Sequence, residues 1–152
     1  MKKFRFGLDS VLDYRQQVLD GLQGEYAKAL ERVRQQEARK EAVELQYAQV
    51  NQEFRERAAE GISIADAMGY ETGLRVLERD IARETKRLEE LQQAAEVKRR
   101  QVMQAHVDTR ILERLKEKKL QDYQKDMQKS EEQFIDELVS ATRHMESGLL
   151  RT

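Results

Sequence analysis

The chain of 152 residues contains no cysteine, no proline and no tryptophan, and aromatic residues make up only 6% of it. The lack of cysteine excludes disulfides, thiolate chemistry and cysteine-type zinc sites, and it fits a reducing compartment. No apolar run approaches the roughly 18 residues needed to span a bilayer. No apolar segment follows the initial Met1-Lys2-Lys3 as it would in a secretory signal. We therefore expect a cytoplasmic protein without direct membrane insertion.

The chain also lacks an excess of positive or negative charge. Lys and Arg number 28 against 29 Asp and Glu, and both signs are mixed along a chain that is 38% charged. Two basic clusters, 98–106 and 114–120, are diluted by glutamates and carry no interleaved aromatic residues, so we expect no nucleic-acid partner. Mixed charge of this kind is typical of an exposed helix surface.

The sequence offers no candidate catalytic, cofactor-binding or metal-binding residues. The spacing of Gly61 and Gly69 matches no phosphate-binding loop. His106 and His144 lie on the same predicted helix, more than roughly 50 Å apart, so they cannot share a metal or form an acid/base pair. A two-helix protein also offers no concave apolar pocket that would perturb carboxylate pKa values. We predict that the chain is not an enzyme and needs no cofactor.

Without proline, only glycine can interrupt a helix, and Gly61, Gly69 and Gly73 form one cluster. This cluster predicts a connector at about 59–71 between a first helix at about 9–58 and a second at about 72–147. Two helices joined by a short connector fold back antiparallel. The predicted fold class is all-α: one coiled-coil domain, an antiparallel hairpin in which the second helix is longer than the first, and a monomer.

A heptad pattern supports this fold. Both arms repeat apolar residues at the 3.5-residue period of a coiled coil. Polar residues interrupt the seam at Arg15, Gln36, Lys40, Glu84 and Lys98. Gly21 and Gly24 also lie within the first arm, where they either permit a close approach of the second helix or make this section pliable.

The first residues form a separate apolar segment. Phe4, Phe6 and Leu8 alternate with polar or small residues, which is the pattern of an extended segment with one face on a surface. The antiparallel fold places Leu8 near residue 120 and Phe54 near Leu77. We therefore expect the segment to dock on the second helix after Tyr123, either as a simple tie-down of the terminus or as part of a partner surface.

Both ends of the chain resemble the FliJ family of flagellar export proteins. The resemblance is carried by FRFGLDSVLDYRQQ at the start, by the two-arm coiled coil with its break near residue 65, and by LERLKEKKLQDYQKDMQKSEEQFIDELV at the end. The specific matches are the F-x-F-x-L start with the Val11, Leu12 and Arg15 that follow it, and Tyr123, Glu132, Phe134, Asp136 and Glu137 near the end.

The resemblance implies a non-catalytic stalk and adaptor of the flagellar type III export apparatus, needed for flagellum biogenesis and motility. Its implied partners are the hexameric export ATPase, the cytoplasmic part of a membrane protein of the export gate, and export chaperones. Its implied place is the cytoplasm, peripheral to the inner face of the cell membrane at the flagellar base.

Two interfaces follow from the resemblance and the predicted hairpin. The end that holds both termini is expected to enter the ATPase ring, through Phe4, Phe6, Leu8, Phe134, Ile135, Leu138 and Met145. The start of the second helix is expected to meet the export gate, through Gly73, Leu74, Leu77, Asp80, Ile81 and Glu84. Leu74, Leu77 and Ile81 also fit the helix seam, and core packing is the favoured interpretation of these three residues.

Two other classes of function remain open from the sequence. A coiled-coil chaperone, or an escort for export chaperones, would use the hairpin to bind clients without an ATPase. A structural spacer would associate with itself into dimers or filaments.

Overall fold

The computed structural model describes residues 2–150, which form two α-helices and no strand. Helix α1 spans Asp9–Glu60 and helix α2 spans Ile64–Leu149. The all-α fold with a longer second helix is therefore confirmed. Within the described residues, neither helix has a stretch apolar enough to cross a membrane.

Helix α1 begins directly after the extended N-terminal segment. The backbone N–H of Asp9 donates to the carbonyl of Phe6 (3.2 Å), and Leu12 donates to Leu8 (2.9 Å). The carboxylate of Asp9 stands in the first turn, where it interacts favourably with the positive end of the helix dipole. The predicted start of this helix is confirmed.

The connector between the helices is only residues 61–63, so the predicted connector at 59–71 was wrong. Gly61 has a φ of 97° and its N–H donates to the carbonyls of Arg57 (3.0 Å) and Ala58 (3.3 Å), which ends α1. The hydroxyl of Ser63 then accepts the N–H of Asp66 (3.1 Å) and caps α2. Gly69 lies inside α2, because a helical glycine costs about 1 kcal/mol relative to alanine but does not by itself end a helix.

The described residues divide into two compact units, one of which is residues 18–105. In this unit the two helices run antiparallel, since partners on α2 have falling numbers as those on α1 rise. The pairs across the seam are Glu25 with Lys98 (2.8 Å), Gln36 with Glu84 (3.0 Å), and Tyr47 with Glu78 (3.2 Å). Its core is a cluster of small and branched apolar side chains: Ala29, Leu30, Val33, Leu88, Leu91 and Ala95.

Register near the connector differs from the prediction. Phe54 packs on Tyr70, with ring centroids 5.2 Å apart, seven residues before the predicted Leu77. The difference arises because α2 begins at Ile64, earlier than predicted, so α1 faces an earlier part of α2.

The other unit contains the described residues before 18 and after 105. Here Lys116 donates to the Asp9 carboxylate (2.8 Å) and Arg15 lies 3.7 Å from Asp108. Thr109, which is only 3% exposed, donates to the carbonyl of Arg15 (3.4 Å). These contacts are again antiparallel, as the predicted hairpin requires.

The two glycines within α1 do not mark a close helix approach. A Cβ placed on Gly21 or Gly24 would meet no atom within 4 Å. The close-approach alternative for these glycines was therefore wrong.

Candidate interaction surfaces

The N-terminal segment is held on α2 by aromatic packing. The ring of Phe4 lies 5.6 Å from that of Tyr123, whose hydroxyl donates to the carbonyl of Lys2. Phe6 is only 7% exposed. Burial of one phenylalanine side chain contributes about 1.5–3 kcal/mol of stabilising free energy, so this burial stabilises the docked position of the segment.

A groove of about 1080 Å³ lies between this segment and α2. Its apolar wall includes Phe4, Leu8 and Leu115, and Lys119 and Asp122 stand on its α2 side. Leu8 and Lys119 line the same groove, in agreement with the prediction that Leu8 lies near residue 120.

Beyond this groove the last six turns of α2 are exposed. Met127 is the last partly buried residue of α2, and every residue from Gln128 to Leu149 is exposed. Phe134 is 63% exposed and Met145 is 73% exposed, values that are high for large apolar side chains. An exposed apolar face of this kind is typical of a surface that binds another protein.

The structure separates the residues predicted to enter the ATPase ring into two groups. Phe4 and Phe6 pack within the chain, against Tyr123 and in the core, whereas Leu8 is 40% exposed at the groove. The α2 members are all accessible to a partner: Phe134, Ile135, Leu138 and Met145.

Of the residues predicted to meet the export gate, Leu77 and Glu84 are engaged inside the hairpin. Leu77 is only 9% exposed, and the Glu84 carbonyl and carboxylate both accept from the amide of Gln36. The Asp80 carboxylate pairs with Arg83 at 2.5 Å. The remaining members, Gly73, Leu74 and Ile81, are partly buried.

An exposed apolar row on the outside of α2, near the connector, was missed by the sequence reasoning. Ile64, Met68 and Val76 are 81%, 63% and 49% exposed. Ile64 and Met68 are four residues apart and so are neighbours on the helix surface, and Val76 lies about 80° further around the helix. The signal was present in the sequence, but the predicted connector covered the first two of these residues.

An aromatic contact lies near the connector in the unit of residues 18–105. The guanidinium of Arg57 stands 5.9 Å from the ring centre of Tyr70, which also packs on Phe54. Partial burial, together with a hydrogen bond to the Glu53 carboxylate, raises the pKa of Tyr70. The ring is therefore a neutral, packed side chain at physiological pH.

Ion pairs shift two carboxylate pKa values in the same unit. The hydrogen bond from Lys98 lowers the pKa of Glu25, and this pair links the two helices. The hydrogen bond from Arg99 lowers the pKa of Glu96, and the same pair raises the pKa of Arg99. Neither arrangement combines a nucleophile with a base, and within residues 2–150 no cluster of three potential metal ligands occurs.

Comparison with protein families gives one match of nearly full length. A family model described as Flagellar FliJ protein matches residues 4–148. No curated protein and no solved structure matches the chain.

Proposed function

This chain belongs to the flagellar FliJ family, and we propose that it acts as a non-catalytic stalk and adaptor of the flagellar type III export apparatus. In this proposal it binds the hexameric export ATPase at one surface and the cytoplasmic part of the export gate at another. It works in the cytoplasm, at the inner face of the cell membrane beneath the flagellum.

The observation that carries the proposal is the exposed apolar end of α2. Phe134, Ile135, Leu138 and Met145 lie in residues 128–149 of α2, which no other described segment covers. An apolar helix face is unfavourable in water, and the central channel of a ring would bury it. A slender helix suits such a channel better than a globular surface does.

The packed aromatic residues have a different role in this proposal. Phe4 and Phe6 hold the N-terminal segment on α2 near Tyr123 and so support the exposed end that enters the ring. The mixed charges that precede and flank the apolar face contribute orientation and association rate more than affinity. Lys125, Lys129 and Glu132 are such residues.

Stimulation of ATP hydrolysis by the purified export ATPase tests this proposal. Phe134→Ser combined with Leu138→Ser should abolish stimulation, while circular dichroism still reports a helical protein. Val107→Ser combined with Ile111→Ser is the matched control, because Val107 and Ile111 have the same spacing on α2 and are 50% and 60% exposed. Full stimulation by both variants would mean that the terminal end does not face the ring.

The export-gate surface is proposed at the start of α2, in the strip that begins at Gly73. Because Leu77 is buried and Glu84 bonds to Gln36, only the outer edge of this strip can contact a partner while the hairpin stays closed. Binding of the purified cytoplasmic part of the gate protein tests it. Loss of binding on Asp80→Ala supports the strip.

A matched variant distinguishes the strip from the outer face of the same helix. Met68→Ser combined with Val76→Ser removes two of the three side chains of the exposed apolar row and leaves the strip intact. If this variant alone loses gate binding, the proposed strip is wrong and the gate binds the outer face.

A further inference from the structure

The exposed end of α2 carries the seam of a two-stranded coiled coil. Phe134, Leu138, Ala141 and Met145 are separated by four, three and four residues, which is the alternation of heptad positions d and a. All four are exposed. Such a seam is complete only when a second helix packs against it.

No other described part of the chain supplies that helix. The N-terminal segment contacts α2 at Tyr123, and partial burial of α2 ends at Met127. We propose that a second copy of this chain covers the seam, with the two α2 ends running antiparallel.

The seam is complementary to itself in the antiparallel direction. With position a of one copy opposite position d of the other, Phe134 faces Met145 of the second copy and Leu138 faces Ala141 of the second copy. Large residues then meet small or flexible ones, so the layers interdigitate without a void, and a methionine sulfur packs on an aromatic ring. The two-fold axis repeats each layer, which gives four layers from four residues.

The polar side chains beside the seam favour the same arrangement. Glu137 and His144 are exposed and occupy the g positions that flank it. In the antiparallel register the g positions face each other, so the carboxylate of Glu137 meets the imidazole of His144 in the second copy, twice by symmetry. Glu131 occupies the a position one heptad before Leu138. In a parallel pair the two copies of Glu131 would face each other, and their like charges would repel.

The contact should be weak and reversible. The exposed stretch 128–149 is about 33 Å long, so the area buried falls at the low end of specific interfaces. The chain is then monomeric when dilute and dimeric when locally concentrated. This refines the expectation of a monomer.

One consequence rests on the proposed function. The seam contains Phe134, Leu138 and Met145, which are also the residues proposed to enter the ATPase ring. Self-association and entry into the ATPase ring therefore exclude each other. The dimer is then a resting form, which dissociates when an unoccupied ATPase ring binds the chain.

Sedimentation equilibrium of the full chain alone, from micromolar to millimolar concentration, tests the self-association. We expect a monomer–dimer equilibrium whose dissociation constant rises about tenfold or more with Leu138→Glu, because the charge would be buried in the seam. Val139→Glu, one residue away and outside the seam, should leave it nearly unchanged. A chain that stays monomeric throughout, or equal effects of both variants, would overturn the proposal.

The Glu137–His144 pair has its own test in the same experiment. His144→Glu places two carboxylates opposite each other and should weaken the dimer, and adding Glu137→Lys should restore it, since the lysine ammonium then faces the new carboxylate. Failure of the double variant to recover would contradict the antiparallel register.

Disulfide formation reports the direction of the helices, because the chain has no cysteine of its own. Leu138→Cys and Ala141→Cys chains that carry different tags are mixed and oxidised. Mixed disulfides should dominate in the antiparallel register. Dominant disulfides between two Ala141→Cys chains would indicate a parallel pair and refute the proposal.

Competition is measured separately, by adding ATPase to the dimer. A fall in dimer as the ATPase is titrated supports mutual exclusion. If the chain alone dimerises as expected but the ATPase leaves the dimer intact, the proposed ring interface fails while the self-association stands.

Discussion

The side-chain amide of Gln36 donates to both the backbone carbonyl and the carboxylate of Glu84 across the helix seam. Gln36 is only 4% exposed, so this is a buried polar contact between the two helices. The Gln36 amide can make both hydrogen bonds in only one register of α2 relative to α1. The pair therefore defines helix register as well as contributing stability.

Removal of this contact should destabilise the hairpin. We expect Gln36→Ala to lower the free energy of unfolding by about 1–3 kcal/mol, because it leaves the Glu84 groups without their partner. Urea unfolding followed by circular dichroism measures the change. Gln35→Ala is the matched control: Gln35 is exposed on the adjacent position, and its replacement should change stability by less than about 0.5 kcal/mol.

The glycines of the chain should respond in opposite ways to alanine. Because a Cβ at Gly21 or Gly24 meets no atom within 4 Å, alanine there should stabilise the protein by about 0.5–1 kcal/mol per site. Gly61 has equal space but a φ of 97°, so Gly61→Ala should destabilise it. Thermal melts of the three single variants give the comparison, and a lower melting temperature for Gly24→Ala would contradict the open environment.

The N-terminal segment should detach when its buried aromatic residue is shortened. Phe6→Ala removes the side chain that is 7% exposed and should make residues 2–8 accessible to proteases, with little change in helix content. Limited proteolysis by trypsin, which cleaves after Lys3 and Arg5, reads this directly. Leu8→Ala, at a residue that is 40% exposed, should be cleaved at a rate close to that of the unchanged chain.

Acid should remove the contribution of the Glu25–Lys98 pair. Since the hydrogen bond from Lys98 lowers the pKa of Glu25 in the folded state, its stabilisation is present above the ordinary carboxyl value of 4.5 and is lost as pH falls through the lowered pKa. Glu25→Gln should therefore melt at a lower temperature than the unchanged chain at neutral pH, and the two should converge in strong acid. Glu41→Gln, at an exposed position, should leave the melting temperature nearly unchanged both at neutral pH and in strong acid.

The overall fold was predictable because two simple signals agreed. The chain has no proline, and apolar residues keep a 3.5-residue period on both sides of one glycine cluster. Packing along such a seam has few alternatives, so the helix class and direction followed. The N-terminal docking was predictable for the same reason, since the alternation of Phe4 and Phe6 has a period of two.

The connector was predicted in the wrong place because each glycine of the cluster was taken to be equally able to end a helix. Only Gly61 adopts a positive φ, and composition alone cannot distinguish it from Gly69, which remains helical. The start of α2 could have been predicted from Ser63 and Asp66, because a serine followed three residues later by an acidic residue is a helix-start signature. In the structure the Ser63 hydroxyl caps α2 by accepting the N–H of Asp66.

The candidate surfaces were only partly predictable, because one apolar residue serves equally well in a seam or at an interface. Leu77 fits both descriptions in the sequence, and only the structure places it in the core. Leu138 was assigned to a surface because no first-helix residue could face it. Leu138 is 52% exposed, so a partner can reach it.

The three-residue connector also bears on how the protein folds. Contacts between the helices in the unit of residues 18–105 include Tyr47 with Glu78, 31 residues apart in sequence, and Glu25 with Lys98, 73 residues apart. Those in the other unit join positions up to 121 residues apart, as in Lys2 with Tyr123. Closing a longer loop loses more chain entropy, so folding should nucleate at the connector, and the most distant contacts should form last. Amide hydrogen exchange should then be slowest in the unit of residues 18–105 and fastest beside the termini, where the chain opens without unfolding as a whole.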